Sequence, residues 1–317
     1  MKEMKRITMA AVARFLLPHI FLFVCTQSFY AQYEKLDLGN SGYDTSVFRK
    51  VLPPDGIKAI REPSFITLKD ALTDTGFNYL KKDDWLLVIE HEGIKKLYPI
   101  MPLIWHEVVN DQSGKLNYAV TYCVLTGSAI VFDRNTDNGH FKTFGVSGCL
   151  YNSNLVMYDY QTRSTWPQLF SKCYSGVEKK ISLKMLKFSW VKFSYAKTHY
   201  QNDLLLVGDS RMPNFKKMYS KFPFQGLDKY ADIDTLRFPV NFNDKTKSYA
   251  VKEKFLYFPA KNVAVPLSSI KNLKQDMVKV QFDGDQIVCI EPIGDNLFMP
   301  IYYFALKTTY PNVKIIQ

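Results

Sequence analysis

Beyond its first 31 positions the sequence has no run of 18 or more apolar residues, so that part of the chain carries no segment able to span a bilayer as a helix. It has no glycine-rich phosphate loop and no dinucleotide fingerprint. It has no run of more than two consecutive basic residues and no nucleic-acid recognition motif. The excess of 41 Lys and Arg over 30 Asp and Glu, +11 in all, is spread thinly, and nucleic acid is not an expected partner. The densest cluster, Lys179, Lys180, Lys184 and Lys187, reads as a solvated face. Cysteine is scarce, five in 317 residues, and its spacing demands no disulfide. What is present is a 47% hydrophobic share against 22% charged residues, which supplies a real core and excludes a disordered tail.

Residues 1–31 read as an export signal. Lys2, Lys5, Arg6 and Arg14 form the basic region, and the apolar core from Phe15 to Cys25 is 11 residues long, too short to span. Ala31 suits the last position before a cut. Phe29 suits the third-last poorly, so cleavage after Ser28 is the alternative. A lipoprotein anchor at Cys25 is the weaker reading, because bulky Val24 stands where a small residue is wanted. The chain is therefore expected in the periplasm or cell envelope. Cys123, Cys149, Cys173 and Cys289 remain after cleavage, an even number that permits disulfides in an oxidising compartment. Cys289, in Ile287-Val288-Cys289-Ile290, reads as a small buried hydrophobe.

Strand patterns dominate the rest. Trp85 to Ile89 and Ile94 to Tyr98 flank a Glu92-Gly93 turn and make a hairpin. Tyr118–Cys123 with Ala129–Phe132, around Gly127, make another. Phe141–Val146 with Leu155–Tyr158 make a third. A helical pattern covers about Ser189 to Tyr200. The chain also echoes itself. Leu97-Tyr98-Pro99-Ile100 matches Ala264-Val265-Pro266-Leu267 at an offset of 167, and Lys197-Thr198-His199-Tyr200 matches Lys307-Thr308-Thr309-Tyr310 at an offset of 110. The first copy is thus 57 residues longer between these landmarks.

The fold expected is mainly β (β-rich α+β), with two unequal, internally related halves and a few short helices. Its segments are an N-terminal extension (32–79), a long half (80–207), an aromatic connection (208–247) and a short half (248–317). The short half lacks the dense polar motifs of the long one. Those motifs are then not needed to fold the unit, and are better candidates for chemistry.

Residues 98–168 hold that polar spacing. They read Tyr98-Pro99, His106-Glu107-Val108-Val109-Asn110-Asp111, Thr121-Tyr122-Cys123-Val124-Leu125-Thr126-Gly127-Ser128-Ala129, Phe132-Asp133-Arg134, Phe144-Gly145-Val146-Ser147-Gly148, Met157-Tyr158-Asp159, Thr162-Arg163-Ser164-Thr165-Trp166 and Gln168. The series resembles the bacterial and archaeal family called domain of unknown function 3179. Its blocks run AYP, HEIVND, TYCPLCGSA, FxR, FGVSG, MYDRxTxSLW and Q. The resemblance covers most of the chain after the signal and implies a shared domain without an established activity. One departure stands out: where the family has a second cysteine, this chain has Thr126. Cys123 alone cannot cycle as an intramolecular dithiol.

On their own chemistry, several motifs exclude themselves. His106-Glu107 lacks the second histidine of a zinc protease, since position 110 is Asn. Gly145-Val146-Ser147-Gly148-Cys149 misses the last glycine of a nucleophile elbow. A thiolate and an imidazole, Cys123 and His106, suit copper or zinc, with Met157 as a thioether for copper. The plainer reading puts Cys123 in the core and has His106 brace a turn. His91, His140 and His199 read as surface residues. Asp159, Thr162, Ser164, Trp166 and Gln168 form either an Asp-initiated turn or one wall of a small-ligand pocket. Arg134 faces an anion or pairs with Asp111 or Asp159.

Three functions are compatible with this pattern. The first is a binding module for a soft metal ion or small ligand in a polar pocket of residues 98–168. The second is an envelope enzyme using Cys123 or Asp159 with His106 as base. The third is a structural or interaction protein of the envelope.

Overall fold

The computed structural model describes residues 43–135, 141–179, 181–212, 215–244, 248–273 and 276–316. The export segment 1–31 with Cys25, and His140, lie outside the described residues.

The described chain is mainly β. It opens with strands β1 (Phe48–Lys50) and β2 (Pro63–Thr67) and helix α1 (Leu68–Thr73). The hairpin β3 (Trp85–His91) and β4 (Ile94–Pro99) leads into α2 (Ile100–His106). Next come β5 (Val108–Ser113), β6 (Leu116–Cys123), β7 (Ser128–Asp133), β8 (Phe144–Tyr151), β9 (Asn154–Asp159), β10 (Thr165–Pro167) and β11 (Met185–Leu186). Then follow β12 (Ser189–Lys192), α3 (Phe193–His199), β13 (Leu204–Asp209) and α4 (Phe215–Tyr219). The last stretch holds β14 (Lys254–Phe258), β15 (Val263–Pro266), β16 (Val278–Asp283), β17 (Gln286–Pro292), β18 (Met299–Tyr302), α5 (Tyr303–Thr309) and β19 (Lys314–Ile315). They assemble into four sheets, ordered β1-β8-β9-β10, β11-β7-β6-β5, β16-β17-β12-β3-β4-β13-β2 and β18-β14-β15-β19.

The turn between β3 and β4 explains its hairpin. Glu92 and Gly93 both adopt positive φ, 50° and 77°, the conformation that matches strand twist in a two-residue turn. The segment at Ser189 departs from the helical expectation: it begins as β12, and only Phe193–His199 is helical. The reason is two-sided burial. β12 lies between β3 and β17, so Trp190 enters one apolar cluster with Leu87, Tyr98 and Ile290, and Val191 enters another with Leu86, Leu97 and Cys289. A strand buried on both faces loses the polar alternation that would mark it.

Two four-strand units have the same order and register. In the first, β12-β3-β4-β13, Leu86 opposes Pro99 and Leu97 opposes Leu205. In the second, β18-β14-β15-β19, Phe255 opposes Pro266 and Ala264 opposes Ile315. The helix entries match as well. Phe193 N donates to Asp84 O as Tyr303 N donates to Glu253 O, and Tyr200 N closes on Ala196 O as Tyr310 N closes on Leu306 O. Between its proline turn and the next shared strand, the first unit carries β5 to β11 and the second carries β16 and β17. Each insertion docks on the other unit. β17 pairs with β12, and β7 lies beside β18, where Tyr302 N donates to Thr126 O at 2.8 Å. The seven-stranded sheet therefore draws strands from residues 63–67, 85–99, 189–209 and 278–292.

The aromatic connection packs over both large apolar clusters through Phe222 and Phe224, and buries Leu227 and Tyr230.

Candidate ligand cavity

The polar motifs of 98–168 fold inward and bind one another. At the end of β6 and start of β7, Thr121, Thr126 and Ser128 are fully buried beside Asn154 and Gln168. Ser128 Oγ donates to Gln168 Oε1 at 2.7 Å, and Gln168 Nε2 donates to Thr121 Oγ1 at 2.9 Å. Asn154 Nδ2 donates to Thr126 Oγ1 at 3.1 Å and to Gln168 Oε1 at 2.9 Å, while Asn154 Oδ1 accepts from Leu169 N. Thr126, the residue standing in place of the family cysteine, is thus part of a satisfied network joining two sheets.

Asp159 builds the turn between β9 and β10. Its carboxylate accepts from Thr162 N at 2.6 Å, from the Thr162 hydroxyl and from Trp166 Nε1 at 2.9 Å. Ser164 Oγ lies 2.8 Å from Thr162 Oγ1 and donates to it, since the Thr162 hydrogen is given to Asp159. These are the local bonds of an Asp-initiated turn, extended to hold a fully buried indole. Arg134 differs from the expected pairing with a carboxylate. Its guanidinium, 5% exposed, donates to the backbone carbonyls of Tyr118, Lys142 and Asp111. Burial pushes its pKa down to about 10. The Asp111 carboxylate instead takes Lys96 Nζ and the hydroxyls of Tyr98 and Tyr118.

Of the soft-ligand candidates, His106 is engaged at both ring nitrogens, while Cys123 and Met157 share one apolar cluster. His106 ends α2 and is buried, with Nδ1 donating to Lys58 O at 2.6 Å and Nε2 accepting from the Tyr219 hydroxyl at 2.9 Å. Burial lowers its pKa, which keeps the ring neutral and consistent with that tautomer. Cys123 ends β6, with Sγ 3.7 Å from Ser153 O, in the apolar cluster that also buries Met157 and Trp166. Burial first, then the neighbouring Glu107 carboxylate, raises the Cys123 thiol pKa. Cys123, Cys149, Cys173 and Cys289 are free, buried thiols. Among the described residues no group of three or more His, Cys, Asp and Glu side chains is placed to hold a metal ion.

A cavity of about 340 Å³ lies where the connection crosses the long half. Its walls come from Val51, Leu52 and Ile57, from Val124 and Leu125 in the β6–β7 turn, from Val146 to Leu150 on β8, and from Pro223 to Phe238. Gln225 and Arg237 are exposed, while Leu125, Val146 and Cys149 are buried. Gly148 permits one wall to close. With φ at +75°, a Cβ placed there would stand 2.1 Å from Leu52 O. Val51 N and Leu52 N instead donate to Gly148 O at 2.9 and 3.0 Å.

Glu107 also lines this cavity. It caps α2 at φ 57° and ψ −32°, a conformation that strains a residue with a side chain. Its backbone is held from both sides, N donating to Leu103 O at 2.7 Å and O accepting from Tyr122 N at 2.9 Å. Its carboxyl, in a residue only 8% exposed, has no hydrogen bond or ion pair among the described residues. Burial alone raises its pKa from 4.5 to about 8. A neutral acid is therefore aimed into an apolar chamber, beside a buried thiol. Sequence reading passed over Glu107 once the zinc-protease motif failed. The signal was an acid enclosed by Trp105, His106, Val108 and Val109, a stretch otherwise without charge.

Fold and cavity together define a mainly β protein, built on two units of matched register, with a partly open, mainly apolar cavity that has one buried acid on its wall. The chain belongs to the family described as protein of unknown function (DUF3179), whose model matches residues 54–299. No curated protein and no solved structure matches the chain.

Proposed function

We propose that this is an exported binding protein for a small, largely apolar molecule, held in the cavity between β8, the β6–β7 turn and the connection. The observation that carries this reading is the Glu107 carboxyl, without a partner among the described residues, on the wall of a cavity of about 340 Å³. Pockets for small organic molecules are typically about 300–1,000 Å³, mostly apolar, with a few placed polar groups. A buried acid left without a partner costs roughly 1–3 kcal/mol, a burden that a bound molecule relieves. A soft-metal site at Cys123, His106 and Met157, or an enzyme with His106 as base, draws less support, because both ring nitrogens of His106 are engaged. Asp159, Thr162, Ser164, Trp166 and Gln168 are not among the residues lining this cavity.

The test is binding of naphthalene to the chain without residues 1–31, followed by titration calorimetry. One equivalent is expected to bind. Leu125→Trp, which fills the cavity, and the milder Val124→Phe are expected to block binding while leaving the far-ultraviolet spectrum unchanged. No binding to the unaltered chain, or equal binding to folded filled variants, contradicts the reading.

A further inference from the structure

The ligand class follows from what surrounds the acid. Glu107 has no cationic partner among the described residues, and the one cation on the cavity wall, Arg237, is exposed at its outer side. An amine entering the chamber would pass that guanidinium. It would then have to sit as a buried ion pair, whose desolvation commonly exceeds the attraction it gains. Apart from the exposed Gln225 amide and the buried Cys149 thiol, the walls offer mainly aliphatic and aromatic side chains, among them Leu52, Ile57, Leu125, Val146, Leu227 and Phe224. A protonated carboxyl in such surroundings is a hydrogen-bond donor, and the group that satisfies it is a neutral acceptor oxygen.

We infer that the cavity takes a neutral apolar molecule bearing a carbonyl oxygen, which accepts the hydrogen bond of the Glu107 carboxyl at its buried end. The backbone supports this role. Two hydrogen bonds hold the Glu107 backbone in its positive-φ conformation, so the point from which the side chain leaves the chain is set before any ligand arrives. Arg237 at the outer side then selects against positively charged analogues.

This inference rests on the proposed cavity, and its test separates the two. Three compounds of one shape are compared: naphthalene, 2-acetylnaphthalene and 2-(aminomethyl)naphthalene. They are titrated into the unaltered chain, Glu107→Gln and Glu107→Met at neutral pH. Glu107→Met removes the donor and keeps the volume. It is expected to weaken 2-acetylnaphthalene about tenfold and leave naphthalene within about threefold, the difference corresponding to one buried hydrogen bond. Glu107→Gln keeps a donor, and is expected to retain most of the affinity for the ketone. The amine is expected to bind more weakly than the ketone throughout. If none of the three binds, the cavity reading fails and this inference with it. If all bind but Glu107→Met affects ketone and hydrocarbon alike, or if the amine binds best and Glu107→Gln abolishes it, the cavity stands and the carbonyl assignment is overturned.

Discussion

Glu107 and Asp159 are both buried acids, yet their surroundings give them opposite roles. Asp159 accepts from Thr162 and Trp166, and its carboxyl oxygens are spent on holding a turn. Asp159→Ala leaves the Trp166 N–H and the Thr162 N–H without acceptors. It is expected to lower unfolding free energy by about 2–4 kcal/mol, read from urea denaturation. A loss below about 0.5 kcal/mol would contradict a structural role. Glu107 keeps its proton to about pH 8, whereas an exposed glutamate loses it near 4.5. Between those values the unfolded chain has released a proton that the folded chain holds. Glu107's contribution is therefore greatest below 4.5, falls as pH rises to about 8, and levels beyond. The slope is at most about 1.4 kcal/mol per pH unit. Glu107→Gln is expected to remove it, so the stability difference, wild type minus variant, should decline across that window. A flat difference contradicts a neutral buried acid. Of these two residues only Asp159 was legible in the sequence, because the Asp-x-x-Thr spacing is a local signal. The setting of Glu107 depends on chain segments 50 and 120 residues away, which no local pattern reports.

At the scale of elements, the hairpins were legible because their turns are: Glu92-Gly93 and Gly127 mark them, and β3/β4 and β6/β7 form there. The echo between Pro99 and Pro266 was legible for a similar reason, as a proline ending a strand just before a helical turn. β12 was not, since two-sided burial erased its alternation. Nor was the cavity wall at β8. Gly148 sits at a break in the β8/β9 register, between Val146 and Cys149, where the strand gives way to the segment 51–53. Gly148→Ala places a methyl group against the Leu52 carbonyl in a positive-φ position. It is expected to destabilise the fold by about 2 kcal/mol or more, and to weaken naphthalene binding by displacing that wall. A variant with unchanged melting temperature and unchanged binding would show that the close approach is not required.

For the whole molecule, the mainly β class was readable from strand patterns, while the way the units interlock was not. β16 and β17 complete the sheet of the first unit, and β7 lies against β18 of the second. The polar blocks of 98–168 meet between sheets as hydrogen-bonded networks, and Asn110, Asp111, Gln112, Arg134 and Thr143 from the same stretch also line a second, polar cavity. The same interlocking leaves a cavity bounded by four separate stretches of chain and by Glu107, an acid that nothing in the described residues satisfies. The account depends on that acid being neutral. Infrared difference spectroscopy across pH 5 to 10, comparing the unaltered chain with Glu107→Gln, reads it directly through the carbonyl stretch of a protonated carboxyl group. The account predicts a band present at neutral pH, absent in the variant and lost with a midpoint of about 8. A spectrum without that band at neutral pH, or a midpoint near 4.5, would contradict it.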